Sequence, residues 1–170
     1  MRKILIIGPG GSGKSTLARR LAELTRLPLI HLDALYWHEG WVPTPQAEWD
    51  RVVAELLSLD AWVIDGNYGR TFPVRLAACD AVVFLDLPPW LCIWRLFRRR
   101  VQYAGRGRPD LPPGCRDFLS WDFLLWVWSY RRRRPGIIEQ LGAVERDKRV
   151  IILRGQRSID RFVASLSATA

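Results

Sequence analysis

The chain has 170 residues, 49% of them hydrophobic and 25% charged, and carries a net charge of +9. That length suits one domain with a core of its own, and the balance excludes a disordered, collagen-like or coiled-coil chain. No apolar run approaches the roughly 18 residues of a membrane span, and the run Ile4–Ile7 falls short of a secretory core of about 7–15 residues, so one cytoplasmic domain over 1–170 with no membrane partner is expected. The charge is almost all arginine, 23 Arg against 3 Lys. A guanidinium binds phosphate bidentately, so the surplus points to nucleotides or nucleic acid, or else reflects biased composition. Cys79, Cys92 and Cys115 show no metal-ligand spacing and read as reduced packing residues.

In chain order, apolar runs alternate with helical patterns, which predicts βαβ units and a parallel sheet. Lys3–Ile7 is strand one. Ser15–Arg26 is a helix with Leu17, Leu21 and Leu24 on one face, ended by Pro28. Leu29–Asp33 is strand two, Glu48–Leu59 a helix and Ala61–Asp65 strand three. Ala81–Leu87 is strand four, stopped by Pro88-Pro89. The pattern predicts a helix over Trp90–Tyr103 with Leu91, Trp94 and Phe97 inward. Ala104–Arg116, rich in Gly, Pro and Arg, reads as a mobile loop. Asp117–Arg134 is a helix with Trp121, Leu124, Leu125 and Trp128 on one side, stopped by Pro135-Gly136. Val150–Arg154 is strand five and Ser158–Leu166 the last helix.

Gly8-Pro9-Gly10-Gly11-Ser12-Gly13-Lys14-Ser15 fits G-x-x-x-x-G-K-[ST], directly after a strand and before a helix. Its glycines let backbone N–H groups turn around phosphate oxygens, and the helix N-terminus adds partial positive charge. Lys14 can reach the outer phosphates, the Ser15 hydroxyl can ligate Mg²⁺, and Thr16 completes the set of nucleotide-binding residues. Gly8, Gly10 and Gly13, with Asp33 downstream, also satisfy the dinucleotide fingerprint G-x-G-x-x-G. The Lys14-Ser15 pair decides for triphosphate, because a dinucleotide site has no use for it.

Ligands of open α/β sheets bind at the carboxyl ends of the strands, where Asp33, Asp65 and Asp86 fall. Asp65 can orient water on Mg²⁺, or form an Asp-Gly turn. Asp33 can accept a proton from an acceptor hydroxyl, or cap the next segment. Asp86 reads as a helix cap and His31 as structural. Tyr36, Trp37 and Trp41 read as aromatic cover or as a platform for an acceptor. Arg154 either borders a nucleotide base or is a solvated strand end. Arg95, Arg98, Arg99 and Arg100 feed the loop that holds Arg106, Arg108 and Arg116. Cations closing over a transferring phosphoryl group suit this lid, about 98–116, with Arg95 and Arg99 ranked first because they share a helix face. Arg131–Arg134 reads as a solvated helix end or as a contact for an acidic partner.

This order of features resembles the small P-loop kinases of the adenylate and shikimate kinase group. His31-Leu-Asp-x-Leu-Tyr-Trp37, Trp62-Val-Ile-Asp-Gly-Asn-Tyr68, Val83-Phe-Leu-Asp-Leu-Pro88 and Trp121…Trp126-x-Trp-x-Tyr130 more closely resemble the bacterial proteins labelled DNA topology modulation protein (FlaR-like). The resemblance implies a three-layer α/β fold, a five-stranded parallel sheet in order 2-3-1-4-5 with a lid after strand four, and ATP and Mg²⁺ as ligands. Two roles follow as expectations: ATP-dependent transfer to a small-molecule acceptor, or nucleotide-dependent DNA binding. Nucleotide monophosphate kinases carry Asp-Gly-Phe-Pro-Arg on strand three. Asp65-Gly-Asn-Tyr-Gly-Arg70 sets the arginine one residue late and leaves Arg70 and Arg75 as alternatives for acceptor binding. The stretch from Ala34 to Asp60 carries no AMP-binding segment, which argues against adenylate kinase itself.

Overall fold

A computed structural model describes residues 1–102, 115 and 119–167. Strand β1 (Lys3–Ile7) lies at the centre of a parallel sheet with β2 (Leu29–His31), β5 (Trp62–Asp65), β6 (Ala81–Leu85) and β7 (Arg149–Leu153), in the order β2-β5-β1-β6-β7. Counted over the strands of this sheet, that is the expected 2-3-1-4-5. Two short strands, β3 (Trp37–His38) and β4 (Val42–Pro43), form a separate antiparallel pair.

Alternate residues of a strand face opposite sides of the sheet, and here both sides are apolar. Leu5, Ile7, Trp62, Ile64, Val82 and Phe84 face one layer, filled by α3 (Gln46–Ser58), α4 (Phe72–Ala78) and α6 (Trp121–Val144). Ile4, Ile6, Val63, Val83 and Leu85 face the other, filled by α1 (Lys14–Thr25) and α7 (Gln156–Ser167). Burial on both faces explains why these strands read as continuous hydrophobic runs. The cysteines are buried and unpaired, as expected.

Four points of the sequence reading need correction or completion. Strand two stops at His31, and Asp33 sits in the first turn of a short helix, α2 (Leu32–Tyr36), whose Leu32 is fully buried beneath Gly66. The segment 72–78, unassigned in the sequence, forms α4, with Pro73 in its first turn, where a missing N–H costs nothing. The helix α5 (Pro89–Gln102) turns Cys92 and Leu96 inward, whereas Trp94 and Phe97 are exposed. The loop of residues 8–13 packs directly on α5 at Gly11, beside the Cys92 backbone and Leu96.

The fourth correction concerns α6, which is capped by Ser120 and runs through Pro135 to Val144. An interior proline costs about 3 kcal/mol. The turns beyond it bury Leu141 and pack Ile137, Ile138 and Val144 on the core, at up to about 1.5–3 kcal/mol for each fully buried side chain. Burial therefore outweighs the break. On the same helix Val127 and Tyr130 face inward, while Trp121, Leu125 and Trp128 are exposed. The predicted loop Ala104–Arg116, with Arg106, Arg108 and Arg116, lies outside the described residues except for Cys115, whose thiol donates to the His38 carbonyl at 3.1 Å.

Candidate active site

The loop from Gly8 to Ser15 leaves the central strand and enters α1. Gly13 takes the N-cap position with φ 95°, and Gly11 has φ 79°. A Cβ on Gly11 would lie 2.3 Å from the Cys92 carbonyl oxygen, so the loop can hold this course only with glycine there. Ser12 is fully buried and its hydroxyl has no partner among the described residues. An orphaned buried hydroxyl in a glycine loop that opens a helix is a donor that a phosphate oxygen would satisfy.

Lys14 is folded back, its Nζ donating to the Pro9 carbonyl at 3.0 Å. Desolvation lowers its pKa, opposed chiefly by the negative charges of Asp65 and Asp33. Those two acids therefore face the same space as the lysine. Asp65 closes β5 and is buried. His31 Nδ1 lies 2.5 Å from Asp65 Oδ1, and the two residues are register partners on adjacent parallel strands. The sequence assigned His31 no role, because strand adjacency is not written in a single strand. Asn67 binds the loop to β5, its Oδ1 accepting from Gly8 N at 3.2 Å.

Asp33 is exposed in the cleft and accepts a hydrogen bond from the Tyr68 hydroxyl at 2.7 Å. Burial, and then the charge and hydrogen bond of Asp33, push the Tyr68 phenol well above its ordinary pKa, so it stays a donor. Tyr68 is a site residue that sequence reasoning missed. Its signal was present in Asp65-Gly-Asn-Tyr68, but only the fold brings it to Asp33. Tyr36 packs edge-on against Trp49 and lies beside Tyr68, on the core side. Trp37 and Trp41 pair at 5.4 Å and line the cleft.

The arginines divide sharply. Arg95 donates from Nη1 to the Ser12 carbonyl at 3.1 Å and from Nη2 to Gln156 Oε1 at 3.0 Å. Arg98 and Arg99 line the same cleft. Arg154 is not among the cleft-lining residues. Its Nε lies 3.3 Å from Asp86 Oδ2, and Gln156, two residues on, lines the cleft instead. Asp86 is no helix cap but the hub of two ion pairs, since Arg134 binds both its oxygens at 2.7 Å. Arg70 pairs with Asp50 and donates to the Gln46 carbonyl at 3.1 Å. Arg75 is fully buried and donates to the carbonyls of Gly66, Asn67 and Tyr68, so it shapes the loop after β5 and offers nothing to an acceptor.

The cleft enclosed by these groups has a volume of about 1840 Å³, ample for a nucleotide and a second substrate together. Beyond the loop and the two acids, Phe123, Trp126 and Tyr130 of α6 line it. The donor set suits magnesium, which takes one or two protein oxygens and leaves the rest to phosphate and water. Ser15 and Asp65 supply such oxygens.

No family model matches the chain. Among solved structures it is similar to a shikimate kinase from Bacteroides thetaiotaomicron, with a TM-score of 0.56 and 18% identity over 98% of this chain and 96% of that one. It is also similar to a gluconokinase from Sinorhizobium meliloti, with a TM-score of 0.55 and 19% identity over 99% and 94% of the two chains. A sugar kinase from Janibacter is similar at a TM-score of 0.55 and 20% identity, over 100% and 98%. The fold is that of the P-loop kinases. The kinase half of the expected resemblance is the half these structures share. In this fold the loop 8–15, Asp65 and Asp33 converge at the carboxyl edge of the sheet, where open α/β proteins place their ligands.

Proposed function

We propose that this chain is an ATP-dependent phosphotransferase that uses Mg²⁺ and acts on a hydroxyl or phosphate of a small molecule, and that it belongs with the FlaR-like proteins its motifs resemble. The observation that carries the reading is one convergence. A glycine loop with an orphaned buried hydroxyl, a desolvated lysine and two carboxylates share a single cleft. The loop and first turn Gly8–Thr16, with Lys14, hold the triphosphate. Magnesium, held by Ser15 and by water on Asp65, would neutralise phosphate charge as the group moves. His31 keeps one oxygen of Asp65 occupied and so fixes the direction of the other. Asp33, held by Tyr68, takes the proton from an acceptor hydroxyl as its oxygen bonds to the γ-phosphorus and the bond to the leaving diphosphate breaks. Arg95 and Arg99 lie along the edge of the cleft next to the loop and stabilise charge on the transferring group.

The neighbours named above act, by name, on shikimate, gluconate and sugar, so polyhydroxyl acids and sugars open the acceptor panel, followed by nucleosides and nucleotides. Transfer of labelled phosphate from ATP to a member of that panel is expected, with loss of both transfer and Mg·ATP affinity in Lys14→Ala. Calorimetry showing no nucleotide binding, or unchanged affinity and hydrolysis in the mutant, would overturn the assignment. Among the described residues a DNA-binding role has no observation to carry it. The run 131–134 is divided, with Arg134 on Asp86, Arg133 stacked over Trp126 at 4.4 Å, and Arg132 in the cleft.

A further inference from the structure

Scattered exposed hydrophobic residues need no explanation, but those of α5 are not scattered. Trp90, Trp94, Phe97 and Val101 are 64%, 55%, 52% and 78% exposed. Their spacings of four, three and four place them in one line along the helix. The opposite side of α5 carries Cys92 and Leu96, packed against the glycine loop and α6. Among the described residues the outward ridge is therefore surplus to the fold. At 3.6 residues per turn, Arg98 falls about 70° to one side of the ridge and Arg100 about 90° to the other. The Arg98 guanidinium lies 5.7 Å from the centre of the Trp94 ring. The helix contains four arginines and no acid, on a chain of net charge +9. The neighbouring helix α6 adds Trp121, Leu125 and Trp128 in a second exposed line.

From this arrangement we infer that the outer face of α5 is a peripheral docking surface for an anionic lipid membrane. Three features select that occupant. Tryptophan, apolar in body with one polar N–H, partitions to the headgroup boundary. Arginines on both flanks can bury their stems beside the ridge and keep their charge at the lipid phosphates. Val101 and Leu125 offer no π face, so they gain from hydrocarbon and not from stacking on nucleic acid bases. A second copy of the chain fits less well, because two copies of a helix with four arginines and no acid would set like charges face to face. No helix among the described residues is long and apolar enough to cross a membrane, and none is needed, since such a helix lies in the plane of the interface.

The test is sedimentation of the intact chain with vesicles of phosphatidylglycerol and phosphatidylcholine. Binding is expected to these but not to phosphatidylcholine alone, to weaken as salt is raised, and to shift tryptophan emission to the blue. The double variant Trp94→Ser, Phe97→Ser removes surface side chains only. It should reduce vesicle affinity at least about tenfold, with circular dichroism and Mg·ATP affinity unchanged. The proposal is overturned if the wild type does not sediment with anionic vesicles, or if the double variant sediments equally well. It is also overturned if the wild type is a dimer that the double variant splits, or if a single-stranded oligonucleotide displaces it from vesicles by binding the same ridge.

Discussion

Asp33 and Asp65 are both carboxylates at the loop edge, yet their surroundings separate them. Asp65 is buried against His31 beside Lys14, whereas Asp33 is exposed and held by Tyr68. Asp65→Asn should therefore impair every phosphoryl reaction, including slow hydrolysis by water, while Asp33→Asn should abolish transfer and spare ATP binding. Single-turnover assays with and without acceptor separate the two, and the reverse pattern would mean their roles are exchanged. Lys14 carries a pKa lowered from 10.5 by desolvation. The unfolded chain thus binds more protons than the folded one between that lowered value and 10.5, and the lysine's contribution to stability rises with pH through that window. Nucleotide affinity should fall over the same window, because the ammonium is what faces the phosphates. Calorimetry across alkaline pH should show affinity declining before an ordinary lysine would titrate. Arg75 makes the opposite case, a charge kept for shape. Burial lowers its pKa to about 10, and its donors satisfy three consecutive carbonyls. Arg75→Met would take the donor from the Gly66 and Asn67 carbonyls, while that of Tyr68 keeps Thr71, and should cost about 3–5 kcal/mol in urea unfolding.

Among the elements, α6 is the one whose course the sequence misplaced, and it offers a clean measurement. Pro135 lies inside the helix, where it removes a hydrogen bond and crowds the carbonyl four residues back. Pro135→Ala should raise the unfolding free energy by about 1–3 kcal/mol. Had the helix stopped at Pro135, the substitution would be neutral or destabilising, because proline stiffens an unfolded loop. Gly142, in the same helix, has nothing within 4 Å of where a Cβ would sit. Gly142→Ala should add a further roughly 0.5–1 kcal/mol. Both follow from helical structure beyond Arg134, and denaturant titration of the two variants checks it.

For the molecule as a whole, the sheet buries apolar side chains on both faces, and every layer depends on β1. Unfolding should accordingly be a single transition by near- and far-ultraviolet dichroism. Ligand that binds only the folded chain raises its stability by about 2.7 kcal/mol at 100 times Kd. Mg·ATP should therefore raise Tm in the wild type in a concentration-dependent way. Lys14→Met should show no such rise. Its ligand-free Tm should equal or exceed that of the wild type, because a desolvated charge is removed from a site shaped for phosphate.

Much of the fold and part of the site could be read from local chemistry. Apolar runs ended by Gly or Pro located the five sheet strands to within two residues, because a strand buried on both faces must be apolar throughout. Gly13-Lys14-Ser15 marked the phosphate loop, because its backbone needs glycine and its ligand needs a cation, whatever surrounds it. Tertiary structure alone decided which face of a two-faced helix turns inward. In α5 the ridge Trp90, Trp94, Phe97, Val101 and the strip Cys92, Leu96 are both apolar with helical spacing. The larger residues looked like core, yet it is the smaller strip that packs against the glycine loop and α6. The pairing of His31 with Asp65 and the meeting of Tyr68 with Asp33 are likewise contacts between segments far apart in the chain. Periodicity is a property of one segment, whereas burial is a property of two, and only folding brings the second segment into place.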